Sequence, residues 1–119
     1  MFEDDYLMRQ IEDITEALGK VLFEKQSGAT ELFDEQGNLS ESSFLTYRLN
    51  RLIAEGKINE AENILFDAIE EGAKPAYLQV AMNFYGTLSK MKEEKLQTFG
   101  FSHAEIRDGL KEIKTIFKV

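Results

Sequence analysis

Apolar residues recur every three or four positions along almost the whole of this 119-residue chain, and a single proline, Pro75, interrupts them. That period places side chains on one face of an α-helix. Leu7, Ile11, Ile14, Leu18 and Val21 form a seam about three heptads long, so the first helix is expected over residues 4–25. Acids at its start suit the positive end of the helix dipole, and Asp5–Arg9 and Glu16–Lys20 are spaced as i,i+4 pairs. Ser27 and Gly28 end it.

Residues 27–42 read as a surface loop, with one helical turn near residues 31–36 stopped by Gly37 and Asn38. Asp34, Gln36, Asn38 and Ser40 alternate as in a calcium loop, but the glycine is misplaced and Leu45 stands where the twelfth-position glutamate belongs. A helix over 41–55 sets Phe44, Leu45, Leu49, Leu52 and Ile53 on one face and stops at Gly56. The next, over 59–72, starts at Asn59 with Glu62 three residues on, the spacing of a capping box. So short a connection makes the two an antiparallel hairpin. Pro75 opens a helix that runs to about Gln97. Its apolar residues spread over about 200° of the helical wheel, so it is central or meets a second partner. The last helix has Ser102 as N-cap, Glu105 reaching back, and Phe101 and Ile106 as a hydrophobic staple. Ile106, Leu110, Ile113 and Phe117 are its core face. The fold class is all-α: a small helical bundle of four long helices plus one short turn, in a single domain over residues 1–119.

Composition removes many functions. The chain has no cysteine and one histidine. That leaves no disulfide framework, no thiolate metal centre, no cysteine nucleophile and no site needing two imidazoles. The net charge is −8, which repels phosphate backbones and speaks against nucleic acid. The charge is uneven: residues 1–40 carry −7, residues 41–72 carry −4 and residues 73–119 carry +3. The acidic and basic ends are expected to complement one another within the fold. No apolar run reaches the length of a membrane span, and the acidic start is unlike a signal peptide, so a cytoplasmic protein is expected.

No phosphate loop, nucleotide fingerprint or nucleophile elbow is present. His103 follows a helix cap with no visible partner for general-base work. Glu12 with Glu16, and Asp108 with Glu112, lie one turn apart and read as solvated faces. Arg48 and Arg51 share a helix face and are expected to pair with acids of the first helix. Phe101 is explained by the staple rather than by stacking on a base. The expectation is therefore a protein that is not an enzyme and holds no cofactor and no metal. It would be an interaction or self-assembling module whose partner is a protein, itself included, as a homodimer. Candidate interface residues are Phe84, Tyr85 and Tyr77, with Met8 and Phe23, which fall off the first seam by about 100° or more. The alternative is a small-ligand binder or enzyme with a pocket between helices near Tyr77, Tyr85 and Arg48.

Two resemblances follow from particular residues. The segment Leu45 to Pro75 resembles one tetratricopeptide hairpin. With Gly56 as its turn glycine, Ala61 and Ala68 take the two small positions, and Leu45 and Leu52 take large apolar ones. Leu49 replaces the first glycine of that pattern, Pro75 is displaced by two, and no second copy follows, so the resemblance implies a hairpin rather than a solenoid. Over nearly the whole chain, three blocks resemble a family of small all-helical bacterial proteins of unknown function. They begin at Asp5-Tyr6-Leu7-Met8-Arg9, Glu55-Gly56-Lys57-Ile58-Asn59 and Gly100-Phe101-Ser102-His103. That resemblance implies no activity and supplies no catalytic residue.

Overall fold

The computed structural model describes residues 2–26 and 40–118. Among them lie six helices and no strand: α1 (Phe2–Gln26), α2 (Glu41–Ala54), α3 (Ile58–Glu71), α4 (Pro75–Ser89), α5 (Glu93–Thr98) and α6 (His103–Ile116). The all-α class stands, but the count differs from four long helices: five are long and one is short. The turn expected near 31–36 and the calcium-like run from Asp34 lie outside the described residues.

The five long helices coincide with the five helical stretches read along the chain, which the total of four undercounts, and the short one comes from a break in the stretch expected to run to Gln97. The helix stops at Ser89, whose hydroxyl donates to the Gly86 carbonyl (2.9 Å), and Lys92 is extended. The break turns Leu96 into the core, where it is fully buried. Burial of an apolar side chain outweighs the small gain of continuing an exposed helix.

α4 packs against α1, α2, α3 and α6, while α1 lies along α6 and α2 along α3. This central position accounts for the wide apolar arc: Leu78, Val80, Ala81, Phe84, Tyr85 and Leu88 are all buried. From α1 the core takes Ile11, Leu18 and Leu22, with Leu7, Ile14 and Val21 partly buried beside them. The acidic first helix thus lies beside α6, whose three acids and three bases balance, and no ion pair joins the two helices among the described residues. A polar link between them is Arg107 Nη1 donating to Gln10 Oε1 at 3.4 Å. Asp5 and Arg9 form no ion pair; Glu16 and Lys20 do, at 4.0 Å and largely exposed, which is worth little.

The caps divide into those that local sequence explains and those it does not. Ser102 Oγ accepts from the Glu105 amide at 3.2 Å, the first half of the capping box; Glu105 reaches back to the Ser102 hydroxyl, which donates to Oε2 at 3.2 Å, rather than to its backbone amide. Ser40 caps α2 in the same manner, accepting from Ser43 N. α3, however, begins at Ile58, and Lys57 precedes it without a side-chain cap. Asn59 is inside the helix and donates instead to the Gly100 carbonyl at 3.0 Å. Gly56 ends the α2 segment at φ +76° with the Phe99 ring packed on it; a Cβ there would lie 2.7 Å from Phe99 Cδ1. Ser102→Ala should lower stability by about 0.5–2 kcal/mol, the usual cost of a lost N-cap. Urea unfolding that overlays the parent would show that this hydroxyl contributes nothing.

Candidate functional site

The helices distribute the expected interface residues unequally. Phe84 is 2% exposed and Tyr85 1%, packed edge to face with ring centroids 5.0 Å apart. Neither offers any surface, and their place in the candidate interface is corrected on that ground. They fill the space between α4 and its neighbours, the centre of a bundle rather than its rim. Met8 and Tyr77 are partly buried against the core. Phe23 is 75% exposed and remains a surface residue.

The aromatic surface that sequence reasoning missed lies mainly on α2. Phe44 is 62% exposed, Tyr47 65% and Tyr6, on α1, 67%. Phe44 was expected on the core face with Leu45 and Leu49. Only those last two are buried, and Phe44 falls on the side of Arg48. The missed signal is the stripe 44, 47, 48, 51, which recurs at helical spacing and lies opposite the buried positions. Among the described residues neither arginine pairs with α1. Arg51 Nε reaches Glu55 Oε2 of its own turn at 3.5 Å, and Arg48 makes no ion pair among the described residues.

A groove of about 320 Å³ runs beside this stripe, with Leu45 and Ala68 among its lining and Phe44, Arg48 and Tyr77 around them. It joins Tyr77 and Arg48, as the pocket reading expected, but not Tyr85. Tyr77 Oη donates to Glu41 Oε2 at 3.2 Å, and Lys74 Nζ lies 3.5 Å from the same oxygen. Burial, and then the bond to the Glu41 carboxylate, raises the Tyr77 phenol above its ordinary value.

Tyr85 turns the other way, into the space between α3 and α6. Its hydroxyl donates to Glu62 Oε2 at 2.6 Å. Glu62, Glu105, Asp108 and Glu112 line a second groove of about 320 Å³ there. Asp108 and Glu112 therefore gain two acidic neighbours from the fold. Burial raises the Glu62 carboxyl above its ordinary value, against the Tyr85 bond, which lowers it; Glu105 and Glu112 add to the rise. Burial, followed by the Glu62 charge, pushes the Tyr85 phenol far above the phenol range. The folded chain consequently holds the Glu62 proton more tightly than the unfolded chain. Stability should fall as pH rises from about 4.5 through the higher folded value, then level off. Glu62→Gln keeps an acceptor for Tyr85 and removes the titration. Denaturant melts between about pH 4 and 7 should therefore show a shallower fall in the variant than in the parent. Identical slopes would show that Glu62 is not the group responsible.

His103 is more engaged than the sequence suggested. Nδ1 lies 3.1 Å from Glu93 Oε2, Nε2 lies 2.8 Å from the Met91 carbonyl, and the His103 amide donates to Glu93 Oε2 at 2.9 Å. The ring and its amide tie α5 to the start of α6. Glu12 and Glu16 stay exposed on α1. Phe101 is buried, as the staple requires. Among the described residues no group of three or more histidine or carboxylate side chains is placed to hold a metal ion, and no helix is long and apolar enough to cross a membrane.

No curated protein and no solved structure matches the chain. The sequence profile of a family of unknown function, DUF6483, matches residues 1–118. It takes in all three blocks that carried the resemblance and every helix described above, and the chain belongs to that family.

Proposed function

We propose that this protein is a non-enzymatic interaction or self-assembling helical module, a cytoplasmic protein whose partner is another protein or a second copy of itself. The observation that carries this reading is the set of large aromatic side chains on the outer faces of α1 and α2, over a core that is otherwise closed. Aromatic residues and arginine are the types that dominate interface energetics. The likeness of the α2–α3 hairpin to a tetratricopeptide unit, a fold element that builds binding surfaces, supports the same reading. An enzyme is the weaker reading. The groups best suited to proton transfer, His103 with Glu93 and Tyr85 with Glu62, are already bonded to one another, and each pair joins helices.

Sedimentation velocity across the micromolar range tests self-assembly. The expected result is a concentration-dependent dimer that persists in high salt, because apolar contacts are not screened. A 13.6 kDa monomer at every concentration, low salt and high, would refute it. For another partner, the immobilised chain should capture one protein from the native cell, and Phe23→Lys or Tyr47→Lys should abolish that capture. Capture unaffected by either variant would refute the role of these faces.

A further inference from the structure

We propose that His103 is a proton-operated latch: with two ring protons it fastens the bend at residues 90–92 and α5 to the start of α6, and on losing one it releases the bend. His103 takes the first position of α6, with its side chain only 12% exposed. Both ring nitrogens meet acceptors. Nδ1 lies 3.1 Å from Glu93 Oε2 on α5, and Nε2 lies 2.8 Å from the Met91 carbonyl in the bend. An ionised carboxylate and a carbonyl have no hydrogen to give. A neutral imidazole carries one N–H and one lone pair, so it satisfies one of these contacts and turns a lone pair on the other. The imidazolium donates to both. The arrangement is therefore complete only when the ring is protonated, and so enclosed a ring leaves water little room to replace a lost bond.

Chemistry decides which contact fails. An N–H bond to a carboxylate is stronger than one to a neutral carbonyl. Glu93 Oε2 also accepts from the His103 amide at 2.9 Å, so it stays in place whatever the ring does. The neutral ring therefore keeps its proton on Nδ1 and turns the Nε2 lone pair on the Met91 oxygen. That repulsion falls on the bend, whose Met91 amide donates to the Leu88 carbonyl at 3.0 Å. The bend in turn sets α5, which leads to the buried Leu96 and to Phe99 on Gly56. Among the described residues Glu93 is the charged side chain that meets the ring. Lys90 and Lys92, on either side of Met91, are exposed, as is Glu105 on α6. Arg107, one turn on, is bonded to Asp108 and to the uncharged Gln10 of α1. The positive end of α6 opposes a cation at this position, and the Glu93 carboxylate offsets it.

Because the chain has one histidine, magnetic resonance of the ring nitrogens needs no assignment. Long-range proton–nitrogen spectra count the ring protons as pH is raised from about 5 until one is lost. Amide hydrogen exchange, corrected for the intrinsic effect of pH, follows residues 91–98 over the same range. Exchange there should rise about tenfold in step with the loss of the ring proton, the size expected for one bond to a charged group. The proton that remains should sit on Nδ1. His103→Gln keeps a donor for the Met91 carbonyl and does not titrate, so the rise should vanish. Glu93→Gln supplies an amide from which the neutral ring accepts at Nδ1 while Nε2 donates to Met91. There the remaining proton should move to Nε2 and the rise should shrink. A parent ring that loses its proton while exchange at 91–98 stays unchanged overturns the latch. So does a remaining proton on Nε2 in the parent, or a rise of the same size in either variant.

Discussion

A chain carrying Phe84→Glu should show no cooperative thermal unfolding transition. Phe84 is 2% exposed and lies in the helix that contacts four others. Removing a buried phenylalanine costs about 3–5 kcal/mol. Placing an unpaired carboxylate in the same position adds several kcal/mol more, or forces the group to take up a proton. The sum approaches the whole stability of a typical domain, about 5–15 kcal/mol. Circular dichroism on heating reads the result directly. A variant that melts like the parent but sediments as a smaller species would mean that Phe84 is an interface residue after all.

Gly109→Ala should destabilise the fold by about 2–4 kcal/mol, although alanine is the better helix former by about 1 kcal/mol. Gly109 lies inside α6, directly beneath Tyr85. A Cβ there would overlap Tyr85 Oη and sit 2.5 Å from Cζ. The ring cannot simply swing aside, because it is buried and its hydroxyl is bonded to Glu62. Overpacking of this kind costs about 1–3 kcal/mol, and a strained or lost bond to a carboxylate adds about 1.5–3 kcal/mol. Tyr85→Phe removes the atom that overlaps most, so the double variant should lose less than the two single losses combined. Urea melts of the four proteins complete the cycle. If Gly109→Ala instead gains stability, as helix propensity alone requires, the close approach of α4 to α6 is wrong.

What could be read from the sequence was mostly what neighbours along the chain decide. The Ser102 cap, the Phe101–Ile106 staple and Pro75 at the start of α4 each depend on residues within one turn. The features that could not be read depend on distant partners. Asn59 has the chemistry of a cap, yet Gly100 claims its amide from 41 residues away. Lys90 to Lys92 contain neither glycine nor proline, so nothing local announces the break that buries Leu96. Phe84 and Tyr85 raised the correct question, a helix apolar over too wide an arc. Periodicity cannot tell whether such an arc is covered by other helices of the same chain or by another molecule. Phe44 failed in the opposite sense, because an aromatic beside two buried leucines looks like core until the packing of α3 and α4 leaves it outside.

The contacts of Phe99 with Gly56 and of Asn59 with Gly100 join two corners of the fold, the bend between α2 and α3 and the bend between α5 and α6. The chain between those corners forms a loop that must close before either contact exists. The entropy of that closure rises only with the logarithm of loop length. Once closed, the two corners share their stability: opening one strips the other of its ring or its hydrogen bond. The hairpin and the final helix should therefore open together in native-state hydrogen exchange, despite lying at opposite ends of the segment they enclose.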